Sequence, residues 1–128
     1  MSPENLDNKY INRELSWIQF NQRVLLTGME KDYKVLDKIK FCSIFSNNFD
    51  EFFMVRVASL KAQADAEIQK KSLDGLTPQE QLNIINEKVK NLTSIQENFV
   101  NTELKQELEN SGIFIKQYKN LLLDQQTW

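Results

Sequence analysis

Thr77-Pro78-Gln79-Glu80-Gln81-Leu82-Asn83-Ile84-Ile85 opens the longest regular stretch of the chain. Thr77 can accept from the free backbone N–H groups of a helix start. Pro78 stands at the first helical position, where its missing N–H loses nothing, and Glu80 can reach back to complete a capping box. Leu82, Ile85, Val89, Leu92 and Phe99 then recur at three-four spacing, the pattern of a helix packed against antiparallel neighbours. The spacing predicts one helix running to Asn110 and stopped by Ser111-Gly112, about 50 Å long at roughly 1.5 Å per residue.

Upstream of this helix, Lys71 to Leu76 reads as a loop around Asp74-Gly75. Before it, Phe49, Phe52, Phe53, Val57 and Leu60 recur at helical spacing and fade into Gln69-Lys70-Lys71. Ser46-Asn47-Asn48 reads as an interruption, with Asn48 capping a helix that starts at Phe49 and Asp50 and Glu51 in its first turn, favouring the macrodipole. A preceding helix is expected from Tyr33 to Phe45, with Leu36, Ile39, Ile44 and Phe45 inward. Lys31, Lys34, Lys38 and Lys40, interleaved with Asp32 and Asp37, are expected to face solvent.

The first helix is read from Trp17 to Thr27, ending at Gly28. Ser16 and Gln19 fit a capping box, Leu15 and Phe20 a hydrophobic staple. Trp17, Phe20 and Val24, joined by Ile18 and Leu25, supply its apolar face. The first eleven residues are mostly polar and aperiodic and read as an arm. Downstream of Gly112, Ile113-Phe114-Ile115 is β-like and Asp124 to Trp128 resembles the opening of a further helix. A stop one turn into a capped helix leads us to expect a piece of a longer protein. The fold expected is all-α, a three- to four-helix antiparallel bundle with a long final helix. Residues 1–112 are expected to form that helical domain and residues 113–128 the start of a following one.

Composition agrees with helices. Of 128 residues only three are Gly and two Pro, too few for a turn-rich β protein, while eight Phe and two Trp supply bulky core material. Net charge is −2 with 16 basic and 18 acidic residues well mixed, so no basic stripe suggests nucleic acid as a partner. The single cysteine, Cys42, excludes an internal disulfide and lies in an apolar run that suits a buried, unreactive thiol. The start, Met1 to Asn5, lacks the basic-then-apolar pattern of a signal peptide, and no apolar run approaches the ~18 residues of a membrane span. A cytoplasmic location is expected, with association at the inner membrane face left open.

The chemistry expected of an enzyme is missing. No His is present, which removes the commonest general base and the commonest metal ligand. Gly28, Gly75 and Gly112 stand too far apart for a phosphate-cradling loop. One cysteine without histidine gives no zinc site, and no Gly-x-Ser-x-Gly elbow occurs. No catalytic residue and no metal ligand is therefore nominated.

Two segments carry more than a bundle requires. They are Asn12-Arg13-Glu14-Leu15-Ser16-Trp17-Ile18-Gln19-Phe20-Asn21-Gln22-Arg23-Val24-Leu25 and Phe41 to Val57, with Ser46-Asn47-Asn48-Phe49-Asp50-Glu51-Phe52 at its centre. Both resemble the paired signatures that open the long bacterial-type polyphosphate kinases, roughly R/K-E-L-S-W-L-x-F-N-x-R-V-L and F-L-x-I-x-S-x-N-L-D-E-F-x-x-V-R. The similarity is dense from about residue 10 to residue 65 and departs at Phe49, where Leu is usual.

The resemblance implies that the whole enzyme moves the terminal phosphate of ATP reversibly onto polyphosphate, with magnesium and a phosphorylated histidine. That histidine and the arginines around the transferred phosphate lie in later domains related to phospholipase D folds. ATP or ADP, polyphosphate, the later domains and further copies in a homo-oligomer are the partners so implied. This chain alone is expected to bind neither cofactor and to be inactive.

The resemblance also implies that Asn48 meets the adenine; an amide offers a purine edge both donor and acceptor. The residues alone favour a helix N-cap for Asn48. Arg56, on an apolar stripe, asks for a partner: an acid such as Glu14 or Asp50, water reached by snorkelling to the edge, or else a phosphate or a neighbouring domain. Trp17 and Phe20 read as core residues. Two rival functions remain, a purely structural module for interdomain or oligomer assembly without nucleotide contact, and a stand-alone helical adaptor.

Overall fold

In the computed structural model, which describes residues 10–128, the chain forms three helical rods. The first is α1 (Arg13–Gly28). The second is continuous from α2 (Val35–Phe52) through a π-helical turn (Phe53–Val57) into α3 (Ala58–Asp65). The third runs from α4 (Pro78–Phe99) through a second π-helical turn (Val100–Leu104) into α5 (Lys105–Asn110). A 3₁₀ turn (Tyr118–Asn120) and α6 (Leu123–Thr127) follow. The expected all-α bundle is what forms, with no strand among the described residues. Of the polar arm only Tyr10 and Ile11 fall inside the described residues, both exposed.

The third rod begins as read: Thr77 accepts from Glu80 N–H, and Glu80 returns a bond to the Thr77 N–H at 2.8 Å. It also ends as read. Gly112 takes φ +80, Gly112 N–H reaches the Glu109 carbonyl and Ile113 N–H the Leu108 carbonyl, a Schellman closure. A second closure of this kind ends α3 at Asp65, earlier than the fading pattern suggested. There Glu67 N–H bonds the Ala64 carbonyl and Ile68 N–H the Gln63 carbonyl. Its left-handed residue is Glu67, at φ 55.

Both upstream helix starts differ from expectation. The cap of α1 is Asn12, whose side chain accepts from the Glu14 and Leu15 N–H groups; Ser16 lies inside the helix, its N–H on the Asn12 carbonyl. Asn12 wins because it is also held from outside, donating to Gln81 Oε1 at 3.0 Å and to Asp74 Oδ1 at 3.1 Å. No staple therefore forms, and Phe20 is 48% exposed. The break at Ser46-Asn47-Asn48 does not exist. Lys38, Cys42, Phe45, Phe49 and Phe52 are all buried, and this three-four spacing carries the helix straight through the polar triplet. Asp50 and Glu51 consequently sit in mid-helix and face solvent, away from any N-terminus. Leu36 and Ile44, expected inward, are 62% and 39% exposed. Ile113-Phe114-Ile115 forms no strand and is exposed.

Each π-helical turn answers an irregularity in the core pattern. Buried positions step by three or four until Phe52, then by five to Val57 before Leu60; on the third rod they step by five from Phe99 to Leu104 before Leu108. An α-helix would swing the second residue of each pair out of the core, and one wide turn absorbs the extra residue and keeps the stripe inward.

The rods pack up-down-up, α1 against α2 and α4 against both α3 and α1. Phe45, Phe99, Ile18, Leu25 and Ile85 are at most 2% exposed and form the centre. Each such side chain contributes about 1.5–3 kcal/mol of burial. Polar bonds fix the register between the second and third rods: Gln96 Nε2 donates to the Cys42 carbonyl at 3.0 Å and to Ser46 Oγ at 2.9 Å. Lys38, expected at the surface, is 4% exposed and pairs with Glu107 at 2.7 Å. Burial pushes the Cys42 thiol above its ordinary range, so it stays protonated and inert.

Candidate functional site

The two signature segments are the two sides of one antiparallel seam, α1 against the second rod. Gly28 meets Phe41, Asn21 meets Asn48, Trp17 stacks on Phe52, and Glu14 meets Arg56. The steps along α1 are seven, four and three residues, and along the partner seven, four and four. Arg56, which meets Glu14, lies within the Phe53–Val57 turn.

At one end of the seam the helices touch. A Cβ on Gly28 would stand 2.5 Å from Phe41 Cβ, so only glycine permits this approach. In the middle, the Trp17 and Phe52 rings lie 4.5 Å apart and nearly parallel, at 4°. At the other end Glu14, 8% exposed, accepts from Arg56 at 3.0 Å and from Arg13 at 3.2 Å. Asp74, held by Asn12 at 3.1 Å, is a second acid at that end of the seam, so the two guanidinium groups are balanced there. Arg56 thereby takes the acidic partner its apolar surroundings demanded.

Asn48 is half-buried and lies inside α2, where it caps nothing. Its Nδ2 donates to Asn21 Oδ1 at 3.0 Å, and Asn21 Nδ2 donates in turn to the Phe45 carbonyl at 3.0 Å. Asn48 keeps its Oδ1 and one N–H for another partner. Asn21, fully buried, was not singled out from the sequence. Its signal was there: it falls between Ile18 and Leu25 on the apolar face, where an amide needs a buried partner.

A groove of about 910 Å³ is lined by Tyr33 to Asp37 on one side and Glu107, Asn110, Ser111 and Ile113 on the other. It lies about 17 Å along α2 from Asn48, at roughly 1.5 Å per residue, so Asn48 occupies an open helix face rather than this cavity. No group of three or more His, Cys, Asp or Glu residues that could hold a metal ion occurs among the described residues. No helix of the described residues is long and apolar enough to cross a membrane.

Comparison with known proteins places the seam in a family. Residues 10–116 match the model described as the polyphosphate kinase N-terminal domain. The polyphosphate kinase of Prochlorococcus marinus is 46% identical over 127 residues, which cover 99% of this chain and 18% of that protein. That of Prosthecochloris aestuarii is 57% identical over 81 residues, 62% of this chain and 11% of that protein. That of Mycobacterium tuberculosis is 41% identical over 114 residues, 89% of this chain and 15% of that protein. No solved structure matches. The chain spans less than a fifth of the length of these relatives. Its sequence, through both sides of the seam, belongs to the polyphosphate kinase N-terminal domain family.

Proposed function

We infer that this chain is the nucleotide-side helical domain of an ATP:polyphosphate phosphotransferase, forming one wall of the nucleotide site and inactive alone. Residues 1–112 are the domain proper and residues 113–128 lead into the next. In this reading the chain supplies no catalytic group: it has no histidine to carry a phosphoryl intermediate. Magnesium, implied for the whole enzyme, finds no donor cluster among the described residues. Phosphoryl transfer depends mainly on positioning and charge stabilisation, so a wall that orients the base contributes without reacting.

The observation that carries the reading is the amide of Asn48. Asn is a poor residue for a helix interior, and here it caps nothing, yet it is held half-exposed with an acceptor and a donor to spare. Adenine, with an amino donor beside a ring-nitrogen acceptor, matches that pair.

The test is Asn48→Ala in the full-length enzyme. The KM for ATP is expected to rise about tenfold, from the loss of roughly 1–3 kcal/mol of base recognition, with kcat and oligomeric state little changed. Unchanged ATP kinetics with failed assembly would favour the purely structural reading instead.

A further inference from the structure

Asn21 is 0% exposed and sits at a core position of α1, where a hydrocarbon would pack. The amide is tolerated because its polar atoms are met: Nδ2 donates to the Phe45 carbonyl at 3.0 Å and Oδ1 accepts from Asn48 Nδ2 at 3.0 Å. This relay has a direction. A main-chain carbonyl can only accept, so Asn21 must turn its Nδ2 towards Phe45 and its Oδ1 towards Asn48. An oxygen there can be met only by an N–H, so Asn48 must turn its Nδ2 inward. The orientation of a half-exposed amide is thereby dictated by a backbone carbonyl two hydrogen bonds away.

A purine edge is sensitive to that orientation. Adenine carries an amino donor where guanine carries a carbonyl acceptor. An amide free to turn over can serve either base. An amide held with its oxygen towards the base's exocyclic group accepts from the adenine amino group and opposes the guanine carbonyl, while its spare N–H is left for the ring nitrogen. Rejection of this kind is effective because it leaves polar groups unpaired.

We propose that Asn21 is a positioning residue that sets the base selectivity of the Asn48 contact, favouring adenine over guanine nucleotides. The proposal rests on the reading of Asn48 as the base-contacting residue, and the two can fail separately.

The experiment uses the full-length enzyme, with ATP as donor and GTP as both alternative donor and competitor. Wild type, Asn48→Ala, Asn21→Leu, Asn21→Ser and the Asn21→Leu/Asn48→Ala double variant are compared, each checked for its melting temperature. Asn21→Leu fills the space and Asn21→Ser opens it, so selectivity is the common readout even if one is poorly folded. Both are expected to raise the KM for ATP with kcat nearly unchanged, and to lower the ATP-over-GTP preference about tenfold. The double variant is expected to be no worse than Asn48→Ala alone, because the two residues act as one unit. If the Asn21 variants affect ATP and GTP alike, or add fully to Asn48→Ala, Asn21 is merely structural and the proposal is overturned while the Asn48 reading stands. If Asn48→Ala leaves the KM for ATP unchanged, both fall.

Discussion

Cutting the Lys38–Glu107 pair from its two ends should give unequal results. Lys38 is 4% exposed with its Nζ 2.7 Å from Glu107 Oε1, while the Glu107 side chain is 38% exposed. Glu107→Ala leaves an ammonium inside the bundle without its counter-charge. Breaking a fully buried pair this way loses about 3–5 kcal/mol, and partial access of water to the acid end brings the expectation to about 2–3 kcal/mol. Unfolding entropy for a domain of this size is about 0.25 kcal/mol/K, so Tm should fall by about 8–12 °C. Lys38→Met keeps the stem in place and removes the charge, while Glu107 can turn to water. That change should lie within about 1 kcal/mol of wild type in either direction. Urea unfolding followed by far-UV circular dichroism measures both. A Glu107→Ala loss under about 0.5 kcal/mol, or a larger loss for Lys38→Met, would refute the buried-pair reasoning.

Three further outcomes follow from the same geometry. Gly28→Ala gains about 1 kcal/mol of helix propensity, but its Cβ would lie 2.5 Å from Phe41 Cβ. Overpacking of about 1–3 kcal/mol should dominate and lower the urea midpoint. Glu67→Gly should stabilise the fold by about 0.5–1 kcal/mol and raise the midpoint, because a residue at φ 55 pays a left-handed penalty that glycine escapes. Glu80 is held below its ordinary value of 4.5, first by its hydrogen bond to the Thr77 backbone and then by the Thr77 side chain. A depressed carboxylate stabilises the fold above its unfolded pKa and loses that contribution as pH falls through the folded one. Glu80→Ala, which removes the carboxylate itself, should therefore be destabilising at neutral pH, and the gap to wild type should narrow in unfolding experiments below about pH 4.

Much of the architecture was readable because local signals and packing agree there. Thr77-Pro78-Gln79-Glu80 caps the third rod with no help from elsewhere, and Gly112 closes it by local geometry. Where sequence reading failed, a distant partner had decided. Asn12 and Ser16 both fit a helix start, and the choice was made by Gln81 and Asp74, far along the chain. Ser46-Asn47-Asn48 looked like a break because three polar residues adjoin, although the core spacing from Lys38 to Phe52 never falters. Lys38 was hidden in a run of surface lysines, and only its register with Cys42 and Phe45 gave it away. The five-residue steps to Val57 and Leu104 were visible, but they announce π-helical turns only once the neighbouring rods are known. At the candidate site, Asn48 stood out by resemblance, whereas Asn21 acquires its role from Phe45 and Asn48 on another helix.

The most direct test of the nucleotide-side reading is photolabelling of the full-length enzyme with an azido-adenine analogue of ATP, followed by mapping of the modified peptides. The label is expected on the α2 segment around Asn48, between Phe45 and Phe53, and excess ATP should suppress it. Labelling confined to other parts of the enzyme, with this segment unmodified at saturation, would contradict a base-contacting role for this domain.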